Sequence, residues 1–217
     1  MMFIRTCLLI SLLSTAACRP SVLFNVPQPA DEKDLKSIPK RMHGTYVNMA
    51  ELDTLVVTEK AVLLIDANSE TGPKTEADSF YIVKGNIAID RKSGDQFYCV
   101  QSIDSVTVYY CLPDTVFSFY REDVLRKHKG YFFMNRYYPY SEADNSSGWA
   151  VQRMHLKRGK IVLSWIGSVE DIENLMKNTE SPRDTVIHQP YSPTKRQFTE
   201  LLLEDGFSEG DVFVKVR

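Results

Sequence analysis

The sequence predicts a mainly β domain, an antiparallel meander of short strands forming a barrel in preference to a sandwich, with two helices near the C-terminus. Three observations carry that prediction. Apolar, β-branched runs recur in pairs around two-residue turns, the signature of hairpins. The runs between those pairs are rich in Val, Phe and Tyr, which suit a pleated, half-buried surface. Apolar residues take up helical spacing only after Ser168.

Residues 1–17 read as a secretory leader. Arg5 supplies a positive start, Cys7 to Leu13 an apolar run, and Ser14, Thr15, Ala16 and Ala17 a small-residue approach to Cys18. The apolar run is far shorter than the ~20 residues that cross a bilayer. Ser14-Thr15-Ala16-Ala17-Cys18 resembles a bacterial lipobox, although Thr15 stands where that family prefers an aliphatic residue. The resemblance implies cleavage before Cys18, a diacylglyceryl group on its sulfur and an acylated new N-terminus. Several acyl chains, at about 0.8 kcal/mol per buried methylene, make a lasting anchor where one is marginal. Arg19 follows the cysteine, which by the same resemblance implies the outer membrane of a cell envelope, on either face.

Residues 18–40 follow as the lipidated cysteine and a tether. Pro20, Pro27, Pro29, Pro39 and the charged Asp31–Asp34 run favour a linker, while Val22-Leu23-Phe24 offers an alternative, docking on the body. Residues 41–217 form a single β-rich domain, long enough to bury a full core. Loss of Arg5 with the leader moves the formal charge from −2 to about −3, which argues against nucleic acid as a partner. Cys99 and Cys111 are the cysteines left in the body, and in an oxidising compartment they are candidates for a disulfide or for two buried thiols. Two cysteines are too few for a Cys-based zinc site.

Within the body, Thr54–Thr58 and Ala61–Asp66 flank Glu59-Lys60, Ser79–Val83 and Asn86–Asp90 flank Lys84-Gly85, and Met154–Lys157 and Lys160–Ile166 flank Arg158-Gly159. Gln96–Gln101, Ser105–Cys111, Val116–Tyr120 and Tyr131–Tyr137 are further strands, and the polar Arg121–Lys129 reads as a helical turn or loop. Ser168-x-x-Asp171 caps one helix, with Ile172, Leu175 and Met176 on one face. Ser192-Pro193 starts the other as N-cap and first residue, Phe198, Leu201 and Leu202 form its apolar face, and Gly206 ends it. Val212, Val214 and Val216 alternate in a last strand.

Chemistry-bearing patterns are sparse. His43, His128, His155 and His188 fall in no metal-ligand spacing, and there is no Gly-x-Ser-x-Gly elbow or phosphate-cradling loop. Neither catalytic nor metal residues are assigned and no cofactor is expected. Asp66, Asp90 and Asp104 read as turn residues, and Glu170, Asp171 and Glu173 as complements to a helix dipole. The most informative stretch is Tyr131–Tyr140, in which six of ten residues are aromatic. On a strand, Tyr131, Phe133, Asn135 and Tyr137 face one way and Phe132, Met134, Arg136 and Tyr138 the other, so both faces carry aromatic surface. Either one face is core and the other lies under a C-terminal helix, or one face lines a ligand cavity. A sugar-stacking surface built from Tyr137, Tyr138, Tyr140 and Trp149 is a third option. Tyr131, Phe133, Arg136, Tyr137 and Trp149 are the candidate ligand contacts.

Gly44-Thr45-Tyr46 at the entry of the first strand, followed by a meander of hairpins, resembles the opening of lipocalin-like bacterial envelope proteins. That resemblance implies a barrel over residues 43–166, plugged at one end by the Gly-x-Tyr turn. The leading expectation is an anchored, non-enzymatic binder of an apolar or amphipathic small molecule or of an envelope protein. A filled-core interaction or structural lipoprotein, and a hydrolase acting on the envelope, are the alternatives.

Overall fold

The computed structural model describes residues 22–141, 146–179 and 190–216. Cys18 with its leader, and His188, lie outside them. The strands are β1 (Asp34–Leu35), β2 (Gly44–Val47), β3 (Thr54–Val57), β4 (Ala61–Pro73), β5 (Tyr81–Lys84), β6 (Ile87–Asp90), β7 (Gln96–Gln101), β8 (Ser105–Ser118), β9 (Val124–His128), β10 (Tyr131–Ser141), β11 (Ser146–Lys157), β12 (Lys160–Trp165) and β13 (Glu209–Lys215). The helices are α1 (Lys74–Phe80), α2 (Val169–Thr179) and α3 (Lys195–Leu203). All ladders are antiparallel, in the order β1-β9-β10-β11-β12-β13-β2-β3-β4-β8-β7-β6-β5.

The hairpins expected from sequence form. Positive φ at both Arg158 (51°) and Gly159 (77°) supplies the twist that a two-residue hairpin needs, and Lys129 (49°) and Gly130 (89°) do the same before β10. The last strand pairs into the sheet between β12 and β2. Its inward residue is Phe213, while Val212 and Val214 face out.

The sheet does not close into a hydrogen-bonded barrel, because β4 and β8 are too long. At 13 and 14 residues they run past the body as a two-stranded ribbon, whose far half joins β5, β6, β7 and α1 in a lobe. The near half still curls, until Phe117 of β8, Leu125 of β9 and Phe132 of β10 share one core with Met42, Tyr46, Leu55, Met154, Ile161 and Phe213. One end of this body is sealed by a short 3-10 turn over Lys40–Met42. There the fully buried Tyr46 donates its hydroxyl to Met42 O (2.9 Å), while Lys215 Nζ lies 5.5 Å from its ring centroid and donates to His43 O (2.8 Å).

The stretch read as a tether departs from that reading from Val22 onward. Val22, Leu23 and Phe24 are buried, and Phe24 exchanges backbone hydrogen bonds with Trp149 (2.8 and 2.9 Å). Asn135 accepts from Gln28 N and donates to Gln28 O, β1 pairs with β9, and Ile38 enters the core. Two apolar anchors, Val22-Leu23-Phe24 and Ile38, with the Gln28–Asn135 hydrogen bonds and β1 between them, make a strap, since burying each apolar side chain contributes about 1.5–3 kcal/mol.

Four local expectations are corrected. Arg121–Lys129 is not a turn throughout: Val124–His128 is a strand whose Arg126 pairs with Asp34 of β1 (2.8 Å), and its exposed cations hide the alternation. The break expected after Cys111 is absent, and β8 continues to Ser118. Helix α1, which buries no residue, leaves no periodic trace in the sequence. Finally α3 begins two residues late, because Thr194 and Gln197 form a reciprocal capping box that outcompetes Ser192-Pro193.

Candidate functional site

Strand β10 is the wall on which the two sides of the body differ. Its outward residues meet the strap and the helices. Phe133 is fully buried against Phe198 of α3 (ring centroids 5.2 Å) and Phe207 (6.0 Å). Phe24, Val151, Ile166, Leu175 and Leu201 complete that cluster. Helix α2 is fixed by Asp171, 2% exposed, whose carboxylate accepts from the backbone N–H of Gly167, Ser168 and Ser208 and from the Ser208 hydroxyl.

The inward residues behave differently. Phe132 and Met134 belong to the core, but beyond them the body opens into a cavity of about 640 Å³. Its wall is largely apolar, formed by Leu64, Val116, Met134, Leu163, Trp165 and Phe213 together with Val22, Phe24, Val151 and Ile166 from the edge of the outer cluster. Its polar wall groups include Asp114, Arg136, Tyr138, Gln152 and Asp211. The cavity lies at the seam where the sheet fails to close. Strand β9 accompanies β10 only as far as Asn135, and among the described residues β8 is paired with β4 alone at Asp114, while Val116 sits at the register shift between the two strands.

Charge around the opening is unevenly compensated. Burial first, and then the neighbouring Asp53, holds Asp211 above the ordinary carboxylate range. Burial likewise pushes Asp66 up, with Asp53 and Asp114 adding to it. Arg136 is half-buried, with its guanidinium carbon 5.3 Å from the Tyr138 ring centroid. It makes no hydrogen bond or ion pair among the described residues. It acts electrostatically on Asp123, which already accepts from Ser118 N (2.7 Å) and lies 3.6 Å from Arg121.

Of the ligand contacts chosen from sequence, only Arg136 lines the cavity. Phe133 is in the outer cluster, Tyr131 packs beside it and against His155 (4.7 Å), and Tyr137 and Trp149 pack on each other (5.3 Å) at its margin. The strand's alternation was legible, but not which parity faces the opening. Asp114, Trp165 and Asp211 were missed. The one trace of Asp211 is a carboxylate sharing the parity of Phe213, which only the β12–β13 register reveals.

The disulfide is also corrected. Cys99 is buried, Cys111 is exposed, and both are free. Cys99 stands opposite Val108 and shares its buried face, whereas Cys111 lies three residues further along β8, on the opposite face. That face of the lobe also exposes Ile82, Ile87, Tyr98, Val100 and Tyr109.

A carboxylate and a histidine do meet, away from the cavity. His128 Nδ1 lies 2.8 Å from Glu32 and Nε2 lies 2.9 Å from the Thr199 hydroxyl. Lys195 takes the same Glu32 oxygen (2.9 Å), and the Thr199 hydroxyl also reaches Lys195 O of its own helix (2.7 Å). The group acts as a clasp joining the strap, β9 and α3. Among the described residues, no cluster of three or more His, Cys, Asp or Glu could hold a metal ion, and no helix is long and apolar enough to cross a membrane. No protein-family model, curated protein or solved structure matches the chain.

Proposed function

We propose that this chain is a lipoprotein, anchored through Cys18 to the outer membrane, whose domain binds an apolar or amphipathic small molecule without transforming it. The observation that carries the binding reading is the cavity of about 640 Å³ between β8 and β10, apolar in its walls and open at the sheet's seam. Ligand sites typically have volumes of about 300–1,000 Å³ and pair an apolar lining with few polar groups. The lipocalin-like reading rests on Gly44-Thr45-Tyr46, whose buried Tyr46 donates its hydroxyl to Met42 of the Lys40–Met42 turn. The anchor rests on the lipobox-like Ser14–Cys18 alone.

Native mass spectrometry on protein extracted gently from its envelope tests both parts. A covalent mass excess on the chain beginning at Cys18 is expected, together with a separable non-covalent adduct. Unmodified polypeptide would overturn the anchor. A chain that is empty both as isolated and after incubation with amphiphiles would overturn the carrier. The second reading, docking of an envelope protein, is favoured by the exposed Ile82, Ile87, Tyr98, Val100 and Tyr109 on one face of the lobe.

A further inference from the structure

We infer that the cavity's ligand is a single-chain amphiphile with an anionic end, and that Arg136 holds that end while the apolar chain lies against Leu64, Val116, Met134 and Leu163. The inference rests on the cavity being a binding site and names what it binds.

Arg136 is a permanent charge at the edge of a largely apolar cavity. A guanidinium carries five donors in a rigid fork and stays protonated in proteins. Arg136 is half-buried and stacked on Tyr138, yet gives none of those donors to a hydrogen bond or ion pair among the described residues. The contact with the Tyr138 ring uses no hydrogen-bond acceptor, and the cavity that Arg136 lines is otherwise mostly apolar. Asp123, the carboxylate within its electrostatic reach, is engaged by Ser118 N and Arg121. A carboxylate or phosphate oxygen arriving from the cavity matches the fork in charge and shape.

The acidic groups on the wall do not reverse this choice. Asp114 is exposed at the rim, where water hydrates it. Asp211 is half-buried and forms no ion pair or hydrogen bond with Arg136 among the described residues, so it does not occupy the guanidinium. The polar end then sits at the unpaired seam beside Arg136, and the chain points toward Leu163 and Phe213, where the core closes.

Isothermal titration of the folded domain with decanoate, decyl phosphate, decanol and inorganic phosphate tests the inference. Both anionic amphiphiles should bind at least about tenfold more tightly than decanol, with inorganic phosphate alone far weaker. Arg136→Gln should bring the anions down to the level of decanol while leaving decanol affinity within about twofold. Arg136→Lys should keep part of the preference, so a poorly folded glutamine variant does not stop the test. Decanol binding as tightly as decanoate, or an unchanged decanoate affinity in Arg136→Gln, would overturn the anionic end and leave the cavity reading standing. Inorganic phosphate matching decyl phosphate would overturn the amphiphile. Binding of none of the four would overturn the cavity reading and this inference with it.

Discussion

The two faces of β10 were built from the same kind of residue and put to opposite uses. Outward, Phe133 and the buried Asn135 are sealed, and every polar atom of the Asn135 amide has a partner in the strap or the strand. Inward, the wall stops being core at Met134 and gives way to a cavity bordered by an arginine without an ion pair among the described residues. The difference teaches that one strand can carry tight packing on one face and an opening on the other, with Phe24, Val151 and Ile166 of the outer cluster reaching the cavity's edge. Helices α2 and α3 and the strap hold the wall from outside, so the inside need not be filled.

Truncation on the two faces sharpens this comparison most. Phe133→Ala should cost about 3–5 kcal/mol, because the hole sits among Phe198, Phe207 and Phe24, which cannot collapse into it without moving α3. Leu64→Ala should cost only about 1–2 kcal/mol, since that side chain already borders a void and loses mainly transfer energy. Urea unfolding of both variants decides the point, and equal losses would mean that the cavity wall is as tightly coupled to the core as the outer cluster.

Next in size is Asp171→Ala. It leaves the Gly167, Ser168 and Ser208 N–H groups without their acceptor at a nearly buried site, which should destabilise by about 1–3 kcal/mol. Hydrogen exchange should show the loosening first in α2 and at the start of β13. Faster exchange spread evenly over the sheet would contradict the assignment of Asp171 as a local joint.

Much of this architecture was legible because strands announce themselves by alternation and tight turns. Thr54–Val57, Gln96–Gln101 and the Arg158-Gly159 hairpin fall where the residues place them. What was illegible depends on long-range register. Nothing local says that β8 should continue through Leu112-Pro113-Asp114, yet that continuation carries the ribbon out of the body and keeps the barrel open. Nor does the alternation of β10 say which parity meets α3. Of the aromatic residues proposed as ligand contacts, Phe133 packs under α3, Tyr131 packs on His155, and Tyr137 and Trp149 pack on each other, so that Arg136 alone remains with the cavity. The strap was half-visible: Val22-Leu23-Phe24 is apolar enough to dock, but prolines and charges around it read equally well as a linker.

The smallest expected effect is a pH dependence with opposite signs on the two sides of the wall. On the outside, Glu32 is held below the ordinary carboxylate range, chiefly by its hydrogen bond from Lys195, with His128 adding to it. A depressed acid contributes stability that is present above its unfolded pKa, near 4.3, and is lost as pH falls through its lowered folded value. The clasp is partly open to water, so this contribution should stay below about 1 kcal/mol. Inside, Asp211 is raised by burial and by Asp53, so it binds its proton more tightly in the folded state. Its ionisation therefore costs stability as pH rises from the unfolded value, near 3.9, through the raised folded value. Lys195→Ala should flatten the loss of stability on acidification below the ordinary carboxylate range. Asp211→Asn should raise stability at neutral pH and remove the decline that wild type shows as pH climbs above that range. Urea midpoints measured across this window for wild type and both variants separate the two contributions. If Asp211→Asn were to lower stability at neutral pH, Asp211 would have to be an ionised, partnered residue, and the cavity would hold its charges in the opposite arrangement.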